Sequence, residues 1–380
     1  MPKRLAILTS GGDAPGMNAA IRAAFRCAKR RNPNHEIILF KNGFRGLAGR
    51  LEANMDVDVQ REELRGILNR GGTCIGTGRV TQLLPVQPDA PDAEERLKAR
   101  KAFLDVASVN LYQLGVDGLI VIGGDGSYRG AQTIAQAYRE RFDRPLRVVG
   151  VPATIDNDIY GTDYTIGFDT ALANTVDALR KIRDTVESHR RAIILEVMGN
   201  NSGWIALEAG IAAGASAIVI PEIPATYDPN RIVQQCVAAL KGDYRYFIVV
   251  MAEGVRNVCG DPDFGPNLAR AIETNETIHR LLGHTMNVRI NVIGHLARGG
   301  TPSAFDNVLA ARFARRAVDA ILSDDPLPHG ADDACVGLQG NRVVLLSLAE
   351  VVAQGHRRIQ PTDGIYQLSQ DLIVQVDQAF

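Results

Sequence analysis

The sequence predicts an α/β fold in which parallel sheets are covered by helices. Short apolar runs alternate with amphipathic helical patterns along the whole chain, loops rich in glycine and aspartate follow several of these runs, and no internal repeat is present. Such alternation is typical of strand–helix–strand units with parallel strands. A length of 380 residues predicts about two domains.

The elements follow from apolar periodicity, taken in chain order. The first predicted strand covers residues 5–8, and the helix over residues 18–30 carries an apolar stripe on one face. Helical patterns also follow the strand at 118–122 and precede the strand at 192–197. A loop rich in proline and aspartate, at 85–92, precedes a charged helix. The other predicted strands cover residues 146–151, 217–220, 247–251 and 288–293.

The composition is that of an ordinary globular protein. Hydrophobic residues make up 46% and charged residues 22%, and 42 basic against 43 acidic residues give a net charge of −1. No global field attracts nucleic acid or a membrane surface, so neither is expected as a partner. The five cysteines are scattered and lack metal-ligand spacing, which is typical of a reducing compartment. The sequence also shows no signal peptide and no run long enough to span a bilayer, so a cytoplasmic protein is expected.

Two loops at the carboxyl ends of predicted strands carry glycines and carboxylates. Residues 123–127 follow the strand at 118–122, and residues 154–158 follow the strand at 146–151. In open α/β sheets that edge is where ligands bind. Glycines let a phosphate approach backbone N–H groups, and carboxylates hold Mg²⁺ or accept a proton. The combination predicts phosphoryl transfer.

Two further glycine-rich segments are candidates for anion binding. Residues 9–18 join the first strand to the first helix, but they contain neither a P-loop lysine nor the Rossmann spacing, so both motifs are excluded. Taken alone, this loop could equally be a tight strand–helix turn. Residues 71–79 end in Arg79, which suits a polyphosphate. Three such loops in one chain favour a phosphate site.

Asp125, Asp156 and Asp158 are the candidates for metal binding and base catalysis. In extended backbone, Asp156 and Asp158 would project to the same side, with Cα atoms roughly 6–7 Å apart. A divalent cation would relieve their repulsion and bridge nucleotide phosphates. We predict that Asp125, assisted by Asp158, binds Mg²⁺ and that Asp156 takes the proton of the acceptor hydroxyl. Alternatively, Asp156 or Asp158 caps the loop through an Asx turn.

At this level of detail the motifs resemble those of the ATP-dependent 6-phosphofructokinase family. The matching segments extend over nearly the whole chain: residues 9–22, 123–127, 152–158, 161–168, 196–199 and 294–300. The resemblance implies two similar Rossmann-like three-layer α/β/α domains with the active site in the cleft between them. We expect a larger ATP-binding domain at 1–166 plus about 299–348, and a smaller sugar-phosphate-binding domain at 167–298 plus about 349–380.

The resemblance also implies a reaction and its residues. The reaction is the Mg²⁺-assisted transfer of the γ-phosphoryl group of ATP to the 1-hydroxyl of fructose 6-phosphate, a step of glycolysis. The predicted catalytic residues are Asp156 as base, Thr154 and Arg79. The predicted ATP-side residues are Gly12, Arg79, Val80, Gly124, Asp125, Gly126 and Ser127. The predicted sugar-side residues are Thr154, Ile155, Asp156, Arg191, Met198, Gly199, Asn200, Glu253, Arg289, His295 and Arg298.

The resemblance further implies a homo-oligomer and an effector. Arg191 and Arg289 are expected to reach over from a neighbouring subunit, which predicts a homotetramer with shared active sites. The matching positions Arg22, Arg26, Arg61 and Arg183 suggest an interfacial site for ADP or phosphoenolpyruvate. Asp243 stands where a lysine is common, which weakens this inference. The alternative is a solvated helix face, because Arg22, Arg26 and Arg30 are spaced by four residues.

Two positions separate ATP from pyrophosphate as the donor. In pyrophosphate-dependent relatives an aspartate replaces Gly126 and a lysine replaces Ala153. Here Gly126 leaves room for the α-phosphate, and Ala153 adds only a methyl group to the ATP-type glycine, so we predict ATP. The alternatives are a pyrophosphate-dependent enzyme, a kinase of another ketose phosphate and a non-catalytic regulatory paralogue. NAD and lipid kinases are disfavoured because they lack the His295–Arg298 and Asp156–Asp158 pairs.

The sequence departs from the family pattern in three places. Asn200 stands where an arginine is usual, so one phosphate-neutralising charge is missing. Phe44 replaces a tyrosine commonly found near the nucleotide. The stretch between Arg79 and Asp125 is longer than in short bacterial members. Because Asp125 and Asp156 are present, an active enzyme is expected.

Overall fold

The computed structural model describes residues 1–57, 64–87, 89–242 and 244–376. These residues divide into two compact units. The first unit contains residues 1–155, 159–169 and 298–357, and the second contains 156–158, 170–297 and the chain from 358. The two-domain boundaries given above stay a prediction.

The strands, in chain order, are β1 (Arg4–Ser10), β2 (Glu36–Phe40), β3 (Met55–Val57), β4 (Gly118–Gly123), β5 (Arg147–Pro152), β6 (Ala192–Val197), β7 (Ala217–Val219), β8 (Phe247–Ala252), β9 (Val288–Val292), β10 (Asp333–Gln339) and β11 (Arg342–Leu346). The strands predicted from apolar runs are confirmed within about two residues at each end. The strands β2, β3, β10 and β11 were not among those predicted.

The helices are α1 (Met17–Arg31), α2 (Phe44–Leu47), α3 (Leu51–Asn54), α4 (Ala93–Gln113), α5 (Asp125–Phe142), α6 (Phe168–Ser188), α7 (Trp204–Ala213), α8 (Pro229–Lys241), α9 (Val255–Val258), α10 (Phe264–Glu273), α11 (Glu276–Leu282), α12 (Ala304–Leu322), α13 (Leu348–Gln354) and α14 (Gly364–Leu372). Short 3-10 turns are Thr81–Leu83, Pro224–Tyr227, Gly294–Arg298 and Pro328–Gly330. Within the described residues, no helix combines the length and the apolar composition that a bilayer span requires.

The first unit is built on a seven-stranded sheet in the order β11-β10-β5-β4-β1-β2-β3. Every residue of the central strand β4 is buried, because helices cover both of its faces. The sheet is predominantly parallel, as predicted, and its two edge strands, β3 and β11, run antiparallel to their neighbours. The strands β10 and β11 are joined by only two residues, and so short a connection can link only antiparallel strands.

The second unit is built on a four-stranded parallel sheet in the order β7-β8-β6-β9. The strands β6 and β8 are buried along their whole length. The edge strand β9 is exposed from Arg289 onward. This strand therefore presents an open edge on the second unit.

Parallel pairing aligns the strand ends that carry the candidate site. Ser10 pairs with Gly123, and Gly123 pairs with Pro152, so the loops after β1, β4 and β5 leave the first sheet at one edge. In the second sheet Val197 pairs with Ala252, so the loops after β6 and β8 emerge side by side.

Candidate active site

The loop between β4 and α5 begins the first half of the site. Gly124 is the N-cap residue of α5 with extended backbone, and Asp125 is the first helical residue. Ser127 is buried, and a Cβ placed on Gly11 would lie 3.4 Å from its Oγ. The loop after β1 is thus in contact with the start of α5. A helix N-terminus surrounded by glycines is suited to bind an anion.

The segment containing Arg79 lies against the same edge. The N–H of Gly11 donates to the carbonyl of Gly78 at 3.3 Å, and the hydroxyl of Thr77 donates to the carbonyl of Gly11 at 3.0 Å. Arg79 is exposed and Val80 is half-buried. The structure therefore brings together the three glycine-rich segments that the sequence singled out. Phe44, by contrast, is fully buried in the core of the first unit, with Leu47 and Leu83.

The carboxylate of Asp125 is buried, with 5% of the residue exposed. Arg129, one helical turn later, donates to Oδ2, and Nε2 of His356 lies 3.9 Å from the same oxygen. The carboxylate is thereby held in one orientation beside the glycine-rich turn. The segment that carries His356 is fixed in turn by Arg357, whose Nη1 donates to the carbonyl of Thr162 at 3.0 Å.

The donor set at Asp125 fits Mg²⁺. This ion prefers oxygen ligands and usually takes one or two protein carboxylates together with substrate phosphates. Among the described residues, no group of three or more histidine, cysteine, aspartate or glutamate side chains is placed to hold a metal ion. A single buried carboxylate beside a glycine-rich turn fits this shared mode of coordination.

The side chain of Arg298 packs against the loop after β1. Its Nη1 donates to the carbonyl of Asp13 at 2.9 Å, and a Cβ on Gly12 would be only 2.6 Å from that nitrogen. The Nε of Arg298 is buried and makes no hydrogen bond to any described residue. Glycine at position 12 leaves the space that the guanidinium occupies, and a Cβ there would force the end of the Arg298 side chain to shift.

The segment from Thr154 to Asp158 is shared by the two units. In the first unit, the carbonyl of Thr154 accepts from the hydroxyl of Thr165 at 2.6 Å. In the second unit, the carbonyl of Asp156 accepts from the hydroxyl of Ser202 at 2.6 Å. Asp156 is half-buried, while Ile155 and Asp158 are buried. These bonds fix the backbone on both sides of the predicted base.

The expectation of extended backbone between Asp156 and Asp158 is wrong. The chain bends at residues 155 and 156, and Asn157 is left-handed with φ 51°. A left-handed residue interrupts the two-residue alternation of side chains, so the geometry assumed for the aspartate pair does not hold. Asn157 is 1% exposed, which shows that the bend is packed into the protein.

The predicted sugar-side residues Met198, Gly199 and Glu253 meet at the carboxyl ends of β6 and β8. The N–H of Gly199 donates to Oε1 of Glu253 at 3.4 Å, and the N–H of Gly254 donates to the carbonyl of Gly199 at 3.0 Å. Gly199 has φ 141°, a conformation that side chains rarely allow. Two loops from distant parts of the sequence are thereby joined.

A polar pocket of about 400 Å³ opens at this edge of the second sheet. Its lining residues are Asn200, Glu253, Arg256, Asn257 and Pro262. Nδ2 of Asn257 donates to Oδ1 of Asn200 at 3.1 Å. Arg256 was not predicted from the sequence. The available signal is the pair Arg256-Asn257, which lies three residues after Glu253 in the loop that follows the apolar strand at 247–251.

Arg191 and Arg289 lie at the opposite end of the same sheet. Arg191 directly precedes β6, and Arg289 on β9 is paired with Ile193 of β6. Both arginines line a cavity of about 120 Å³. The six residues of β6 separate Arg191 from Met198, which places their Cα atoms about 20 Å apart. One copy of the second unit therefore does not bring these arginines to its own Met198 and Glu253. His295 is exposed in the 3-10 turn after β9.

Comparison with known proteins decides the family. The family described as Phosphofructokinase matches residues 4–321. The chain belongs to the phosphofructokinase family. It is 39% identical over 373 residues to the ATP-dependent 6-phosphofructokinase of Bacillus subtilis (strain 168), covering 98% of this chain and 100% of that protein. A relative from Bacillus cereus (strain B4264), with the same name, is 39% identical over 372 residues, again covering 98% of this chain and 100% of the relative.

Solved phosphofructokinase structures share the fold. Phosphofructokinase from Saccharomyces cerevisiae superposes with a TM-score of 0.77 and 30% identity over 92% of this chain, which spans only 45% of the yeast chain. A pyrophosphate-dependent phosphofructokinase from Marinobacter aquaeolei gives a TM-score of 0.75 over 98% of this chain and 92% of that one. At 20% identity the latter likeness shows the phosphofructokinase fold alone. The predicted family resemblance and the α/β fold class are confirmed.

Proposed function

We propose that this chain is an ATP-dependent 6-phosphofructokinase, a phosphotransferase that converts fructose 6-phosphate into fructose 1,6-bisphosphate in glycolysis. The observation that carries the proposal is the meeting of three glycine-rich segments with the buried carboxylate of Asp125 at one sheet edge. The near-full-length relatives named ATP-dependent 6-phosphofructokinase support the same activity. A cytoplasmic location belongs to the proposal and is supported by five free cysteines.

On the nucleotide side, the backbone around Gly11, Gly12 and Gly124 would receive the phosphates of ATP, with Arg79 as a cationic ligand. Asp125 would hold Mg²⁺, assisted by Asp158. When bound, Mg²⁺ supplies positive charge that offsets the charge of the transferred phosphoryl group. Arg129 and His356 keep the carboxylate of Asp125 in place.

On the acceptor side, Asp156 would accept the proton of the 1-hydroxyl of fructose 6-phosphate. A carboxylate positioned in this way acts as a general base. The hydroxyl of Ser202 donates to the backbone carbonyl of Asp156 and thereby holds the backbone from which the Asp156 carboxylate projects. Met198, Gly199 and Glu253 would bind the sugar, while His295 and Arg298 would bind its 6-phosphate.

The space beside Gly126 supports ATP as the donor. A Cβ on Gly126 meets no described atom within 4 Å, so the start of α5 is open to a further phosphate. An aspartate there would place negative charge in that space and would repel the α-phosphate.

The position of Arg191 and Arg289 supports a homo-oligomer, which we take to be a tetramer. Both arginines lie at the far end of β6 from the sugar-side residues, and Arg289 is on the exposed edge strand β9. Each can therefore serve a second copy of the chain. The same oligomer would contain shared active sites.

An anionic effector is the regulatory part of the proposal. A cavity of about 680 Å³ in the first unit is lined by seven cationic side chains, Arg22, Arg26, Lys29, Arg30, Arg31, Arg65 and Arg315. Burial and the neighbouring Arg26 lower the pKa of Arg22, which indicates that positive charge is concentrated there. ADP or phosphoenolpyruvate would relieve this repulsion. Arg183 belongs to the second unit, and Arg61 and Asp243 lie outside the described residues.

The test is a coupled assay that compares ATP with pyrophosphate on fructose 6-phosphate and on other ketose phosphates. We expect fructose 6-phosphate with ATP to give the highest kcat/KM. A faster rate with pyrophosphate would assign the chain to the pyrophosphate-dependent enzymes. A faster rate with another ketose phosphate would change the acceptor, and inactivity with every pair would favour a regulatory paralogue.

A further inference from the structure

The polar pocket of the second unit contains a guanidinium group with no assigned role. Arg256 belongs to α9, which follows β8 after Glu253 and Gly254. Because β6 and β8 are adjacent parallel strands, α9 lies at the same sheet edge as Met198 and Gly199. Arg256 is thus placed beside the predicted sugar-side residues by the sheet itself.

Arg256 is anchored at one end only. Its Nη2 donates to Oε1 of Glu196 at 2.5 Å, and it makes no other hydrogen bond within the described part of the chain. The Glu196 side chain is 8% exposed, whereas the Arg256 side chain is 42% exposed. A guanidinium carries five N–H donors in a planar fork, so most of them remain for a ligand.

The pocket contains both signs of charge, and its cationic side is at Arg256. Among the described residues that line it, Arg256 is the one cation, Glu253 is the one anion, and Asn200 and Asn257 are neutral and hydrogen-bonded to each other. Burial raises the pKa of Glu196, the attraction of Arg256 lowers it, and the nearby Glu253 raises it again. The positive charge that is absent at Asn200 is therefore supplied to the pocket from α9.

We propose that Arg256 binds phosphoryl oxygens of the reactants in this pocket and is a further substrate-binding residue of the enzyme. The proposal rests on the proposed function. The oxygens belong either to the 6-phosphate of the acceptor or to the phosphoryl group in transfer. Guanidinium groups bind phosphate through two parallel hydrogen bonds, which a lysine at this position would not reproduce.

The test compares Arg256→Ala and Arg256→Lys with the wild type in the full-length chain. We expect Arg256→Ala to lower kcat/KM for fructose 6-phosphate about 10- to 100-fold, with Arg256→Lys in between. A contact with the 6-phosphate raises KM and weakens fructose 6-phosphate binding in calorimetry without nucleotide. A contact with the transferred group lowers kcat and leaves that binding unchanged. Either pattern supports the proposal.

Three controls separate binding from structure. Arg280→Ala removes an exposed arginine of α11 and should leave kcat/KM within about twofold. Glu196→Gln removes the anchoring charge but keeps Arg256; if it reproduces the whole loss of Arg256→Ala, the role is structural and the proposal is wrong. Thermal melts establish that each variant is folded, and Arg256→Lys is the readout if the alanine variant is not.

The inference and the proposed function fail in different ways. An inactive wild type overturns the proposed function. An active wild type together with an Arg256→Ala variant that keeps at least half of kcat/KM overturns the inference alone.

Discussion

Arg298 and Gly12 are in direct contact: a Cβ on Gly12 would lie 2.6 Å from Nη1 of Arg298. The same nitrogen donates to the carbonyl of Asp13, so the guanidinium is seated on the loop after β1. This contact joins a residue of the predicted 6-phosphate site to the predicted ATP loop within the first unit. The absence of a side chain at position 12 is what allows it.

Gly12→Ala should therefore displace Arg298. Misplacement of a binding group by about 1 Å costs up to about 100-fold in rate, and we expect kcat/KM for fructose 6-phosphate to fall about 10- to 100-fold. Steady-state kinetics with fructose 6-phosphate as the varied substrate measure this. Gly66→Ala is the control, since a Cβ there meets no described atom within 4 Å. Equal kinetics in both variants would show that Arg298 does not need its present position.

Asp156→Asn should lower kcat about 100- to 10,000-fold, the usual contribution of a general base. The Ser202 hydrogen bond is to the backbone carbonyl, so the loop should keep its conformation. Single-turnover assays with saturating substrates measure the effect. Asp371→Asn, at an exposed position, serves as the control. A variant that retains most of its rate would remove Asp156 from the role of base.

Shared active sites predict complementation between inactive subunits. In a hybrid pair of one Arg289→Ala chain and one Asp156→Asn chain, one of the two sites at a twofold interface is intact, so the purified hybrid should show about a quarter to a half of wild-type activity. Co-expression with two affinity tags and assay of the doubly purified hybrid measures this. Arg191→Ala with Arg289→Ala is the matched control and should stay inactive. Restored activity in that control, or none in the first pair, contradicts the shared site.

The cationic cavity predicts a nucleotide or phosphoenolpyruvate response. At subsaturating fructose 6-phosphate, ADP or phosphoenolpyruvate should change the apparent KM at least about fivefold, and Arg26→Ala should abolish the change. Effector titrations of both proteins, with Arg280→Ala as the surface control, provide the measurement. Flat curves for the wild type would mean that the cavity has no regulatory role.

Glu222 predicts a pH-dependent stability. Burial raises the pKa of Glu222, although the N–H of Gly203 opposes the rise with a hydrogen bond of 2.9 Å. Its contribution to stability is present below the ordinary value of 4.5 and is lost as the pH rises through the raised folded-state pKa. As the pH rises above 4.5, the free energy of unfolding of the Glu222→Gln variant should therefore increase relative to that of the wild type.

Urea unfolding of Glu222→Gln and wild type over a pH series checks this expectation. Glu52→Gln, at an exposed position of α3, is the control and should follow the wild type. A difference that does not vary with pH would show that the effect of Glu222 is unrelated to its ionisation.

The elements and the glycine-rich loops could be predicted because their signals are local. An apolar run such as residues 118–122 and the glycines after it specify a buried strand and a turn without reference to the rest of the chain. The hairpin of β10 and β11 also has a local signal, Gly340-Asn341 between two apolar runs.

The remaining features depend on contacts between distant residues. Asn157 is both left-handed and buried, and the pattern of residues 154–158 alone does not predict this combination. His356 approaches Asp125 from more than two hundred residues away, and Arg256 joins Asn200 in one pocket only because β6 pairs with β8. Sequence periodicity predicts strands, but it does not state which strand ends become neighbours.

The polypeptide leaves the first unit after Ile155 and returns to it at Ile159. The three residues in between, including Asp156, belong to the second unit but are joined at both ends to chain of the first unit. Neither unit can therefore be expressed as one continuous fragment that keeps this tripeptide in its place. Catalytic competence should accordingly be a property of the uncut polypeptide, and fragments made from either half should have to be recombined before any turnover is regained.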